Sequence, residues 1–137
     1  MPVSGIQSQC LGDSKGIDRL LKGGLTMEVE PGVYLSSTLT EEWEQDSDPP
    51  GEVHVLCDDV ELEAGLWRPL AGVTPDPVPW TLPAREVILV LEGRARIEIE
   101  GGPTLELKAG SMASLPKGAK TTWRVTADFK ELWVLSK

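Results

Sequence analysis

The chain holds one histidine, two cysteines, one phenylalanine and one tyrosine in 137 residues. Each scarcity excludes something. A tight site for zinc, iron or nickel takes several imidazole or thiolate donors, and beside the single His54 the two cysteines, Cys10 and Cys57, lie far apart with no CxxC spacing. Two cysteines so far apart fit reduced thiols in a cytoplasmic protein, not a disulfide framework. Basic residues are outnumbered, 13 Lys and Arg against 22 Asp and Glu, which gives a net charge of −9 and a pI near 4.6. That balance argues against nucleic acid and against an anionic membrane surface, since both recruit clustered cations. No apolar run approaches the roughly 20 residues of a membrane span. The start, Met1 to Gln7, has neither the basic nor the apolar region of a signal peptide. Internal repeats, a glycine-rich phosphate loop and a GxSxG elbow are all missing, which removes nucleotide-binding and α/β-hydrolase readings.

What is present is a set of short strands. Val87 to Glu92 carries five aliphatic residues in six, several of them β-branched, and reads as a strand buried on both faces. Arg94 to Glu100 alternates, with Ala95, Ile97 and Ile99 facing in, and Gly101-Gly102 makes a hairpin turn into Thr104–Lys108. Ser111–Leu115, Lys120–Thr126 and Phe129–Leu135 follow, separated by Ala109-Gly110 and Pro116-Lys117-Gly118. Upstream, Val53, Val55 and Cys57 share one face of a strand, a second strand covers 60–64, and Pro75, Pro77 and Pro79 mark a loop. Turn signals about every ten residues describe an all-β sandwich or barrel.

The first 51 residues read as an extension. Asp13 or Ser14 caps a short helix that Gly23 or Gly24 ends. Two strands flank the Glu30-Pro31-Gly32 turn, and Glu41 to Gly51 forms an acidic, solvated connector around Trp43. Five tryptophans, Trp43, Trp67, Trp80, Trp123 and Trp133, are spread along the chain and suit core or cavity walls, each with an N–H that wants a partner.

The segments Gly65-Leu66-Trp67, Glu86 to Gly93, Leu107-Lys108-Ala109-Gly110 and Leu115 to Trp123, in this order, resemble the cupin superfamily. More narrowly they resemble the small cupins related to (S)-ureidoglycine aminohydrolase and to ethanolamine utilisation. The resemblance covers about residues 52–137 and implies a double-stranded β-helix, a jelly-roll barrel preceded by the short helix and extension. Metal-binding cupins carry two histidine motifs. Glu86 and Gly93 match the acid and glycine of the first, and Gly110, Pro116 and Gly118 match the second. The ligand histidines do not match. The first two fall on Trp80 and Leu82, or on Pro79 and Thr81 with the other spacing, and the third on Thr121. One carboxylate and one hydroxyl are too few donors, so no metal and no cofactor is expected. His54 alternates with the core residues Val53 and Val55 and is expected to face solvent.

By the family's parity Glu86 points into the barrel, and Ile88 and Val90 with it. The implied pocket holds Glu86 as acid or base, with Trp67, Trp80, Ile88, Thr121, Trp123 and Trp133 around a ligand. An acid at the inner end of an apolar strand has its pKa raised unless an arginine such as Arg68 or Arg85 pairs with it. Aromatic walls with one carboxylate suit a small amine or ureide. The favoured reading is a cytoplasmic small-molecule-binding cupin. The alternatives are an enzyme of the ureidoglycine aminohydrolase type and a non-catalytic interaction protein. The apolar outer face of the central strand (Val87, Leu89, Leu91) calls for a cover by another sheet, the N-terminal segment or a second subunit, and the resemblance, with this face, implies a homodimer.

Overall fold

The computed structural model describes residues 9–10, 26–47, 49–70 and 75–137. Within them every regular element is a strand: β1 (Gln9–Cys10), β2 (Met27–Glu30), β3 (Val33–Leu35), β4 (Glu44–Ser47), β5 (Pro50–Asp58), β6 (Leu62–Arg68) and β7 (Val78–Thr81). The second half adds β8 (Glu86–Glu92), β9 (Arg94–Ile99), β10 (Thr104–Lys108), β11 (Met112–Leu115), β12 (Lys120–Val125) and β13 (Lys130–Ser136). The helix expected over 13–24 lies outside the described residues.

Two sheets enclose the core. One runs β11-β8-β13-β6-β5-β4 and the other β10-β9-β12-β7, with all their neighbouring pairs antiparallel. The inward residues of both, among them Trp67, Trp80, Ile88, Ile97, Trp123 and Trp133, form one buried cluster. Two antiparallel sheets around one core are consistent with the jelly roll that the resemblance implies. Gly93 closes the β8–β9 turn at φ 73°, and a Cβ there would approach Thr126 Oγ1 to 2.6 Å, so the turn requires glycine twice over.

Five expectations change on meeting the structure. The acidic connector is partly a strand, since β4 pairs along β5 at the sheet edge (Glu44 opposite Val53). The proline-rich loop gives way to β7 at Val78, because alternating prolines leave Trp80 and Val78 free to pair with β12. The central strand β8 is not buried on both faces: Ile88 and Val90 are inside, whereas Val87 is 46% exposed and Leu89 and Leu91 are half-buried. Cys57 leaves the face of Val53 and Val55, because β5 fits one extra residue, Leu56, opposite β6. Its thiol is free and half-buried.

The correction at His54 is the largest. It is 7% exposed, not solvent-facing. Alternation does send it to the outer face of β5, but the segment from Thr26 to Trp43 covers that face. A carbonyl oxygen only accepts, so Nδ1 donates to the Glu42 oxygen at 2.7 Å. Nε2 then accepts from Ser36 Oγ at 2.6 Å, with Thr26 Oγ1 at 3.0 Å donating its own proton to the Val55 oxygen. Desolvation in this cage lowers the imidazole pKa. Nearby, Arg68 lies 4.0 Å over the Trp43 ring and is bound to Glu52 at 3.1 Å, fixing the end of the cover to β6.

Candidate functional site

Antiparallel pairing brings two acids into the barrel. Glu86 sits opposite Leu135, and Glu131 opposite Val90, on the adjacent strands β8 and β13. Period-two alternation puts Glu86, Ile88 and Val90 on the inner face of β8. The same alternation puts Glu131, Trp133 and Leu135 on the inner face of β13. Both side chains are fully buried, at 0% exposure, and none of their four oxygens has a hydrogen-bond partner among the described residues. Glu131 was not singled out from sequence. Its parity with Phe129, Trp133 and Leu135 was the available signal.

The arginines weighed as partners for Glu86 are occupied elsewhere. Arg68 is held by Glu52, and Arg85 donates to Ser114 Oγ at 2.8 Å on the outside. Desolvation therefore dominates and pushes the Glu86 carboxyl up to about 7. Trp80 stands close enough to favour the anion slightly, yet its indole N–H does not reach hydrogen-bond geometry with either oxygen. Glu131 is raised well above the usual carboxylate range, first by burial and then by the charge of Glu86. Each acid therefore holds its proton to higher pH than an exposed carboxyl does.

The walls are aromatic. Trp67, Trp80, Trp123 and Trp133 are buried, as are Ile88 and Thr121. Thr121, at the position of the missing third ligand histidine, donates to the Trp80 carbonyl oxygen at 2.5 Å and accepts from Trp123 Nε1 at 2.9 Å. Where metal-binding cupins present imidazoles, this chain stitches β7 to β12. The donor set does not fit a metal ion: no imidazole faces the interior, and no cluster of three or more potential ligands occurs among the described residues. Among the described residues the indole N–H groups of Trp67, Trp80 and Trp133 have no hydrogen-bond partner, like the carboxyl oxygens.

Between Pro49, Trp67, Val78, Trp80 and Trp123 lies a void of about 10 Å³, room for one water-sized group. A larger hollow of about 780 Å³, over Glu98, Glu100, Lys120 and Thr122, is an open surface on the outer side of the smaller sheet. The unsatisfied chemistry is inside.

Residues 60–131 match the EutQ-like cupin domain family. No curated protein matches the chain. Among solved structures it is similar to ethanolamine utilization protein Q of Salmonella typhimurium, at 21% identity and TM-score 0.69, over 83% of this chain and 94% of that one. It is also similar to the EutQ protein of Clostridium difficile, at 18% identity and TM-score 0.66, over 82% and 94%. A protein from Rhizobium leguminosarum gives 21% identity and TM-score 0.53, over 71% and 97%. At these identities the likenesses speak to fold, while the family match spans more than half of the chain. The chain belongs to the EutQ-like cupin domain family.

Proposed function

We propose that this protein is a small-molecule-binding cupin whose barrel interior takes a compact amine or ureide. One observation carries the reading: two fully buried acids, Glu86 and Glu131, leave four oxygens without partners amid tryptophan walls. Buried polar groups are satisfied in the great majority of proteins, and an orphan cluster asks for a ligand that supplies its bonds. N–H groups of an amine or ureide donate to the carboxyls, and the rings of Trp67, Trp80, Trp123 and Trp133 supply apolar and cation–π contact. The site is small as it stands, so occupation displaces at least one indole ring. The protein acts in the cytoplasm as a homodimer, with the half-exposed outer face of β8 at the interface.

The test is a thermal-shift and tryptophan-fluorescence screen of small amines and ureides. Ethanolamine joins the panel because the Salmonella protein is named for its utilization. One ligand class raising the midpoint and shifting emission supports the reading. No shift from any member at millimolar concentration overturns it and leaves a tryptophan-filled scaffold, which the small void favours. The raised Glu86 also suits an acid–base group. Conversion of a bound ligand, lost in Glu86→Gln, would mark an enzyme.

A further inference from the structure

The chain as a whole is acidic, yet one part of its surface inverts that balance. On the smaller sheet Arg94 and Arg96 of β9, Lys108 of β10 and Arg124 of β12 alternate with inward residues and point outward. Together they wall one hollow of about 460 Å³. Among the described residues the same wall carries a single acid, Glu106.

Register makes this clustering costly. Lys108 is the direct cross-strand partner of Arg94, and Arg124 that of Arg96. Like charges placed opposite each other, with Cβ atoms about 5 Å apart, destabilise a sheet. Part of the repulsion is offset, since Arg96 meets Glu106 at 3.4 Å and Arg124 meets Glu98 at 2.8 Å. All four of those side chains are at least 43% exposed, and ion pairs so exposed hold weakly. Arg94 and Lys108 have no ion-pair partner at all among the described residues. The acids near them are engaged elsewhere: Glu92 faces Lys130, and Asp128 accepts from Thr126 Oγ1 at 2.7 Å.

We propose that this hollow binds a small multivalent oxyanion, one carrying a phosphoryl group or paired carboxylates. Guanidinium forks match either group with parallel N–H···O bonds, and the Lys108 ammonium adds a point charge. Ser111 Oγ accepts from the Lys108 amide at 3.0 Å, which leaves its own O–H as a further donor on the wall. An anion seated between the two rows turns each repulsive pair into a pair of ligands. The volume is that of a metabolite site. A long polyanion is disfavoured, because the net charge of −9 repels whatever extends beyond the hollow. The hollow lies on the other side of the sheet from the tryptophan-lined interior, so it stands whether or not that interior takes a ligand.

Pyrophosphate and citrate are the probes, with heparin as the polymer control. Calorimetry at about 150 mM salt, where the Debye length is about 8 Å, should give saturable binding of one equivalent. Arg94→Gln and Lys108→Gln should each weaken it about tenfold. Their unfolding midpoints, expected at or above wild type because a like-charge pair is relieved, show that they fold. Lys120 shares the strand and outer face of Arg124 but lies about 13 Å along it, so Lys120→Gln should change affinity less than about twofold. Pyrophosphate binding alone assigns a phosphoryl ligand and citrate binding alone a polycarboxylate; either result, or both, supports the hollow. Silence from both probes at millimolar concentration, an equal loss in Lys120→Gln, or heparin binding tighter than either probe overturns it.

Discussion

The buried acids Glu86 and Glu131 shift the response to pH in one direction and the buried His54 in the other. Glu86 titrates near 7 in the fold and near 4.5 when exposed. Between those values the unfolded chain has lost a proton that the folded one keeps, so stability falls as pH rises through this window and is flat above it. The difference is about 3 kcal/mol for Glu86, and the raised Glu131 extends the decline upward. The thermal midpoint should therefore be lower at about pH 8 than at about pH 5.5, and Glu131→Gln should raise it at about pH 8 by removing an ionisable group from a dry interior. A midpoint indifferent to this substitution would mean that water reaches the pair. His54 has the reverse sign. Its folded pKa lies below 6.5, so it contributes stability above that value and loses it as pH falls through the folded pKa. His54→Ala takes the Nδ1 donor away from the Glu42 carbonyl oxygen, at a cost of about 1–3 kcal/mol by denaturant titration.

At the scale of elements, sheet contact is set by what is absent as much as by what is present. A Cβ on Gly65 would press into the His54 carbonyl oxygen and come within 3.1 Å of Trp133 Cζ2. Gly65→Ala must therefore spread β5 from β6 or tilt Trp133, and should lose roughly 1–3 kcal/mol or more in an unfolding measurement. Wild-type stability there would show that the strands have slack. The β8–β9–β10 run was legible because its signals agree: a β-branched stretch, a Glu92-Gly93 turn, strict alternation from Arg94, and Gly101-Gly102. The inward parity of Glu86, Ile88 and Val90 followed from the same pattern. Bulges were not legible, since one extra residue at Leu56 leaves no compositional trace yet moves Cys57 off the core face. Nor was the burial of His54, because a covering segment is a tertiary fact and period two tells only which face a residue takes, not what lies over it. Glu131 was readable in principle: it shares its parity with Phe129 and Trp133, but an acid in the closing strand resembles any solvated surface residue until its neighbours are placed.

For the whole molecule, the larger sheet leaves an apolar outer edge where β8 meets β11. Val87 is 46% exposed, and Met112, the register partner of Leu89, is 78% exposed. Isolated exposed apolar residues are ordinary, but adjacent ones on a sheet face suit a second sheet. If that second sheet is another copy of this chain, sedimentation equilibrium gives twice the chain mass, and Met112→Lys with Val87→Glu gives the monomer with thermal stability otherwise retained. A wild-type monomer at tens of micromolar would remove the dimer.

The chain has a single histidine, and its ring is the bolt between barrel and cover. In spectroscopic terms that makes the molecule its own reporter. A uniformly nitrogen-15-labelled sample contains one imidazole, and its Nδ1 proton, held 2.7 Å from the Glu42 oxygen, should give one slowly exchanging, downfield resonance with no neighbour of its kind to confuse it. Loss of that peak while the barrel amides persist would record the cover lifting from β5 as an event separate from unfolding.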